Sequence, residues 1–214
     1  MPLSPSDLLS QAAARGVPMS PDAAEKLAAF LPLFLETNSH VNLSAIRDEA
    51  GVVEKHFLDS LALGKFADLS GLRVLDLGSG GGFPGIPLAC QFPKADVTLM
   101  DSIGKKTRAS ASFISALGLK NCRSFQFRAE ELPYSKEFRP YDLVVSRATA
   151  FLPQVMAWAL PLLKKGGRCA FYKLPNAEEL AAGMAAAEEL GAHIERIESY
   201  EMAGQERAII FVAR

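Results

Sequence analysis

The first third of the chain carries apolar residues at the spacing of an α-helix. One stripe falls at i, i+3, i+4, i+7 and i+8 and consists of Leu27, Phe30, Leu31, Phe34 and Leu35. Ser20-Pro21-Asp22 is a start signal for this helix, and Pro32 is expected to kink or divide it. Ser6 and Asp7 are expected to cap a helix before it, and Asp48 a helix after it. Residues 1–65 are therefore predicted to form an N-terminal helical cap.

From residue 66 onward, short apolar strands alternate with helical segments. Strands are predicted at 71–75, 95–101, 123–128, 141–147 and 166–173, and the chain closes with two more strands at 194–201 and 208–212. Alternation of this kind favours a parallel sheet with helices on both faces, and a terminal hairpin adds one antiparallel strand. The prediction for residues 66–214 is a doubly wound α/β domain with a mostly parallel, seven-stranded sheet.

The turn after the first predicted strand is unusually rich in glycine. It reads Asp76-Leu77-Gly78-Ser79-Gly80-Gly81-Gly82-Phe83-Pro84-Gly85 and leads into a predicted helix. Glycines without Cβ atoms allow positive φ angles and a close approach of the backbone to a ligand, which is typical of adenine-cofactor sites. The pattern formally fits a dinucleotide turn. However, Asp76 at the strand end and Pro84, which lacks an N–H, favour a phosphate-free ligand with a cationic amino-acid end, namely S-adenosylmethionine.

Polar residues at the ends of later strands complete the candidate cofactor site. Asp101 ends the second strand, 25 positions after Asp76, at the spacing where a carboxylate binds a ribose diol. Ala129 and Glu130 follow the third strand and are candidates for contact with adenine. Arg147 ends the fourth strand, where it is expected to pair with the methionine carboxylate or with an RNA phosphate.

Charge is distributed unevenly along the chain. Residues 72–175 hold fifteen Lys and Arg against seven Asp and Glu, between two acidic flanks, although the net charge is only −1. This basic centre is either a phosphate-facing surface or a solvated face that neutralises the flanks. On the first interpretation, Lys105, Lys106 and Arg108 steer and seat RNA, and Lys173 faces the same edge.

The His56 and Asp59 pair has two interpretations. The residues lie three apart on one predicted helix face, so His56 either pairs with Asp59 to orient a surface or lines a substrate mouth beside the cofactor. Spacing alone favours the first. The cysteines at 90, 122 and 169 are scattered and are expected to be buried thiols in a reducing cytoplasm. No signal peptide or bilayer-spanning segment is predicted.

Missing motifs narrow the reaction. Ser146-Arg147-Ala148-Thr149 stands where amino-group methylation of a base usually needs Asn/Asp-Pro-Pro-aromatic, and no cysteine follows a proline as expected for pyrimidine C5 methylation. Guanine N7 is an acceptor whose lone pair lies exposed in the ring plane. Methyl transfer to it is an in-line displacement that needs positioning but no general base.

Five segments together resemble the glucose-inhibited division protein B (GidB) family of bacterial small-subunit ribosomal RNA guanine-N7 methyltransferases. They are Asn42-Leu43-Ser44-Ala45-Ile46, His56-Phe57-Leu58-Asp59-Ser60, residues 76–87, Asp101-Ser102-Ile103-Gly104-Lys105-Lys106, and Ser146-Arg147-Ala148. The resemblance implies a Rossmann-like class I fold and a cytoplasmic enzyme that uses S-adenosylmethionine.

By position, the resemblance implies cofactor contacts for five residues: Gly78, Phe83, Ala129, Glu130 and Arg147. It also favours His56 and Lys105 as substrate-facing residues. The glycine-rich turn itself suggests that Gly80, together with Gly78, contacts the methionine portion of the cofactor. We expect no metal, DNA or membrane partner, and a monomer. A small-molecule methyltransferase, or a module that binds the cofactor or RNA without turnover, stays open as an alternative.

Overall fold

The computed structural model describes residues 3–136 and 138–214. A seven-stranded sheet with the strand order β3-β2-β1-β4-β5-β7-β6 forms its centre. The strands are β1 (Arg73–Leu77), β2 (Asp96–Asp101), β3 (Cys122–Gln126), β4 (Tyr141–Arg147), β5 (Leu163–Lys173), β6 (His193–Met202) and β7 (Gln205–Ala213). β1 to β5 are parallel, whereas β7 is antiparallel to both β5 and β6. The predicted doubly wound sheet with a terminal hairpin is therefore confirmed.

Eight α-helices surround the sheet in the described ranges. They are α1 (Pro5–Ala14), α2 (Pro21–Val41), α3 (Glu49–Val52), α4 (Asp59–Leu61), α5 (Gly85–Gln91), α6 (Gly104–Ala116), α7 (Leu152–Ala159) and α8 (Ala177–Glu189). One buried cluster joins α1, α2, α5 and α6 to one sheet face, and a second joins α7 and α8 to the other. Over the described residues, no helix has the length and apolar character needed to cross a membrane.

Several local predictions need correction. Ser4, rather than Ser6, caps α1, because Asp7 at the third helical position completes a capping box with Ser4. Pro32 does not divide α2, which continues to Val41. The segment after α3 is a π-helix (Val53–Leu58), which the sequence pattern did not indicate. The helix α7 was also missed, since prolines interrupt its apolar run.

The N-terminal helices share a core with the sheet domain. Phe30 and Phe34 of α2 lie 5.6 and 5.1 Å from the ring of Phe83 in the glycine-rich turn, and Phe57 stacks on Phe30 at 5.6 Å. Phe113 of α6 closes the cluster at 5.0 Å from Phe30. The cap thus packs directly onto the element that forms the site, while the division into domains near residue 65 stays a prediction.

Candidate functional site

The glycine-rich turn connects β1 to α5 at the carboxyl edge of the sheet. Gly78, Gly80 and Gly82 have φ angles of 75°, 55° and 95°, a backbone region that residues with a Cβ rarely adopt. The N–H groups of Gly78 and Ser79 both donate to the carbonyl of Met100 on β2, at 2.9 and 3.0 Å. The turn is therefore held against the neighbouring strand as well as by its own residues.

Asp76 is buried beneath this turn. Its Oδ2 accepts a hydrogen bond from the Gly85 N–H at 2.7 Å, whereas its Oδ1 has no partner among the described residues. Burial raises the pKa of the Asp76 carboxyl to about 7, because the charged form is poorly solvated there. The carboxyl thus joins the start of α5 to β1.

A cavity of about 390 Å³ lies at the ends of β1, β2 and β3, and we call it the strand-end cavity. It brings together four predicted residues, Gly78, Asp101, Ala129 and Glu130, with Lys106 at its side. Asp101 is almost completely buried. Its Oδ2 accepts from the Gly80 N–H at 3.0 Å and its Oδ1 accepts from the Ile103 N–H at 2.9 Å, so the carboxylate has a fixed orientation.

The residues of the strand-end cavity suit S-adenosylmethionine in their chemistry. A Cβ on Gly78 would lie 2.6 Å from the methyl carbon of Thr149, so this wall of the cavity keeps its packing only with glycine at position 78. Each Asp101 oxygen keeps a free lone pair that can accept from a ribose hydroxyl.

A second cavity, of about 330 Å³, lies between the glycine-rich turn and the N-terminal helices, and we call it the cap cavity. It contains the remaining predicted turn residues Gly80 and Phe83 together with His56 and Arg147. Phe83 and Arg147 therefore line this cavity rather than the strand-end cavity. Three residues line both cavities, namely Gly78, Lys106 and Ala148, so the two spaces adjoin.

Arg147 is bound within the protein by the helical cap. Its Nη1 donates to the Lys55 carbonyl at 2.6 Å and to Asp59 Oδ2 at 2.9 Å, and its Nη2 lies 2.9 Å from His56 Nδ1. Asp59 is fully buried and also accepts from Tyr200 Oη at 2.8 Å. The predicted His56–Asp59 pair is therefore replaced by an arrangement in which Arg147 lies between the two residues.

His56 is held as a neutral imidazole. A guanidinium only donates, so the short contact with Arg147 makes Nδ1 the acceptor and places the ring proton on Nε2, which donates to Ser44 Oγ at 2.8 Å. The ring stacks on Phe83 at 4.5 Å. Burial and the adjacent Arg147 charge lower the pKa of His56 to about 3. His56 thus lines the cap cavity, and its role toward a substrate stays a prediction.

These shifts predict opposing effects of pH on stability. Between pH 6.5 and about 3, His56 is protonated in the unfolded chain but stays neutral in the folded protein. Its contribution to the free energy of unfolding is therefore complete above pH 6.5 and is lost as the pH falls. The raised pKa of Asp76 acts oppositely, since its contribution is complete below pH 3.8 and is lost as the pH rises through about 7. Between pH 7 and pH 4, the free energy of unfolding of the wild type should therefore fall by about 3 kcal/mol more than that of His56→Gln.

Urea unfolding across this pH range measures the effect, and His40→Gln is the matched control because His40 lies exposed at the end of α2. Parallel pH curves for the wild type and His56→Gln would contradict the assignment of a buried neutral ring.

The other predicted cations are placed differently. Lys105 and Arg108 are exposed on α6 and line neither cavity. Lys173 Nζ binds Glu179 and the Ala150 carbonyl, both at 2.6 Å, and its side chain is only 13% exposed. Lys173 is thus engaged in joining β5 to α8, and its role toward a substrate stays a prediction.

Sequence reasoning missed three residues of the site. Trp158 of α7 lines the strand-end cavity, and Lys55 and Arg207 line the cap cavity. Lys55 adjoins the His56 motif and was within reach of the same argument. Trp158 lay in an interrupted apolar run, and Arg207 comes from β7 at the far end of the chain. Only the sheet order brings them to the site.

The strand order, the glycine-rich turn and the acid at the end of β2 define a class I, S-adenosylmethionine-dependent methyltransferase. Solved structures agree on the fold: fibrillarin from Aeropyrum pernix with natively bound S-adenosyl-L-methionine matches with a TM-score of 0.59 at 14% identity, over 72% of this chain and 73% of that one. A putative O-methyltransferase from Klebsiella pneumoniae matches with the same TM-score at 16% identity, over 97% of this chain and 96% of the other.

Sequence comparison identifies the family. The profile described as "GidB: rRNA small subunit methyltransferase G" matches residues 23–210. Proteins named ribosomal RNA small subunit methyltransferase G are similar over most of their length. The one from Deinococcus deserti is 39% identical, over 97% of this chain and 86% of its own, and the one from Acetivibrio thermocellus is 35% identical, over 91% and 81%. The chain belongs to the GidB family.

Proposed function

We propose that this protein transfers the methyl group of S-adenosylmethionine to N7 of one guanine in small-subunit (16S) ribosomal RNA, as a cytoplasmic monomer. The observation that carries the proposal is the pair of adjoining cavities that share Gly78, Lys106 and Ala148. One space suits a donor and the other an acceptor, so the shared wall is where a methyl group would pass between them.

The chemistry of the cap cavity supports an acceptor that loses no proton. Among the described residues that line it there is no Asp or Glu. His56, the single imidazole there, has its Nδ1 lone pair occupied by Arg147. Methylation of an exocyclic amine needs a group that accepts a proton, whereas N7 of guanine offers a free lone pair. The absence of an available base in this lining therefore favours N7.

The predicted residues that line the two cavities receive roles in this proposal. Asp101 would bind the ribose, Ala129 and Glu130 the adenine, and Gly78 the methionine portion, with Gly80 fixing Asp101 through its N–H. When bound, S-adenosylmethionine supplies an electrophilic methyl group on a sulfonium. A neutral His56 adds no further positive charge beside that group, and its stacking with Phe83 provides a flat wall for a purine.

Cationic side chains around the cap cavity support RNA as the substrate. Lys55, Lys106 and Arg207 line it together with Arg147, and exposed Lys105 and Arg108 extend the charge along α6. Phosphates are attracted to such a surface, and binding that depends on them weakens as salt rises. Arg147 is here a positioning residue, because it holds His56 and the cap.

The test is mass spectrometry of 16S ribosomal RNA digests from a strain that lacks the gene. We expect the loss of one 7-methylguanosine and its return when the wild-type gene is supplied, but not when Asp101→Ala is supplied. An unchanged digest would refute the proposal. The loss of a different methylated nucleoside would instead favour a methyltransferase that acts on another RNA position or on a small molecule.

A further inference from the structure

A cleft of about 480 Å³ lies beside β3 on the sheet face that carries α7 and α8, apart from the cap cavity. Four aromatic rings and three arginines line it, and we call it the arginine cleft. The rings are Phe125, Phe127, Phe138 and Tyr141, and the arginines are Arg73, Arg123 and Arg139. No role described above uses this cleft.

The aromatic wall is open because little structure covers β3 on this face. Within the described ranges, a single 3₁₀ turn (Leu132–Tyr134) is the only helical element between β3 and β4. Phe125 and Phe127 are consequently half-buried, with their rings 6.2 Å apart in an edge-to-face arrangement, and Phe138 is half-buried across from them. Rings left accessible in this way can stack with other flat groups.

Among the described residues, one carboxylate, Asp96, forms ion pairs with two of the three arginines of the cleft. Asp96 is shared by Arg123, which it binds at 2.7 and 3.1 Å, and Arg73, at 3.5 Å. Arg139 is exposed and donates to the carbonyl of its neighbour Phe138 at 2.9 Å. All three arginines belong to the basic segment 72–175, whose charge the methyl-transfer site uses only in part.

The arginine cleft adjoins the methyl-transfer site. Phe127 lines both the cleft and the strand-end cavity, so the two spaces meet at the carboxyl end of β3. From there the cleft extends to Arg73 and Tyr141 at the opposite ends of β1 and β4. The cleft therefore borders the donor side of the site, and an RNA held in the cap cavity reaches the cleft only by passing the strand-end cavity.

We propose that the arginine cleft binds a single-stranded segment of the substrate RNA that flanks the target guanine. Bases stack on Phe125 and Phe138, and the guanidinium groups of Arg123 and Arg139 bind phosphates. Combined stacking and phosphate contacts are the general basis of single-strand recognition, and guanidinium forks suit phosphate geometry. This inference rests on the proposed function, because it assigns a second contact to the same RNA.

The decisive variant is Arg123→Ala/Arg139→Ala, and its matched control is Lys165→Ala/Arg168→Ala. Both pairs are exposed, and Arg123 and Arg168 are 51% and 52% exposed, each in an ion pair with one carboxylate. The probes are unmodified 16S ribosomal RNA and a short oligoadenylate. We expect the cleft variant to bind both about tenfold more weakly. The slope of its log affinity against log salt concentration should fall by the equivalent of about two phosphate contacts. The KM for RNA should rise while kcat and the Kd for S-adenosylmethionine stay unchanged.

A second variant should act in the opposite direction. Asp96→Asn removes the carboxylate that holds Arg123 and Arg73, so we expect RNA binding to tighten severalfold. The cleft assignment would be overturned if the cleft and control variants bound RNA with equal affinity, or if Asp96→Asn did not raise the affinity for RNA. Either result would leave the proposed function intact. A wild-type protein that binds S-adenosylmethionine but neither RNA probe would overturn both.

Discussion

Replacing Arg147 with alanine is expected to lower the free energy of unfolding by about 3–5 kcal/mol, as well as to impair methyl transfer. The Asp59 carboxylate is fully buried, and Arg147 at 2.9 Å is the closer of its two guanidinium partners, since Arg207 Nε lies 3.5 Å away. Truncating Arg147 therefore leaves most of a buried charge uncompensated, which costs several kcal/mol. From sequence alone, Arg147 was expected to pair with the methionine carboxylate or with an RNA phosphate. The contacts to Asp59 and the Lys55 carbonyl correct that expectation.

Urea denaturation measures the effect, with Asp59→Asn and the double variant Asp59→Asn/Arg147→Ala completing a double-mutant cycle. The double variant should recover part of the loss, because no uncompensated carboxylate stays buried. Arg47→Ala is a control, since Arg47 binds Asn42 Oδ1 and the Asn38 carbonyl at the edge of the cap. A loss below about 1 kcal/mol for Arg147→Ala would mean that Tyr200 and Arg207 satisfy Asp59 without it.

Gly78→Ala is expected to weaken binding of S-adenosylmethionine about a hundredfold, equivalent to ~2.7 kcal/mol. Gly78 has a φ angle of 75°, which strains any residue with a Cβ, and the added carbon would lie 2.6 and 2.7 Å from the Thr149 side chain. Thr149 would have to move, and Gly78 lines both cavities at their shared wall. Calorimetry with S-adenosylmethionine is the measurement.

The matched control is Gly71→Ala. Gly71 has a similar φ angle of 79°, but a Cβ there meets no atom within 4 Å, and the residue lies before β1, away from the site. This variant should lose about 1 kcal/mol of stability and keep its affinity for S-adenosylmethionine. Equal affinities of Gly78→Ala and the wild type would show that the turn does not contact the donor.

Most of the fold followed from the sequence because its signals are local. The strand at 141–147 was predicted with its observed bounds, and Ser20-Pro21-Asp22 marked the start of α2 correctly. A turn of consecutive glycines has few uses, so the sequence also indicated residues that the fold brings together, and Gly78 and Asp101 do line one cavity. Local patterns failed where the backbone departs from regular geometry, as in the π-helix that contains His56.

The roles within the site were harder to assign because they depend on distant contacts. Arg147 and Asp59 are 88 residues apart, and only the folded chain shows that they bind each other rather than a ligand. The same holds for Lys173, which a helix later in the chain neutralises through Glu179. A cationic side chain at a sheet edge indicates an anion, but the sequence does not distinguish a phosphate from a carboxylate of the protein itself.

The aromatic cluster beneath the glycine-rich turn links ligand binding at the turn to the docking of the N-terminal helices. Phe83 belongs to the turn, yet its neighbours Phe30 and Phe34 belong to α2, so docking of α2 helps to hold the turn in shape. By thermodynamic linkage, a ligand that binds the ordered turn is then expected to protect α2 against local opening. The N-terminal helices therefore report on ligand binding from the side of the protein opposite to α7 and α8.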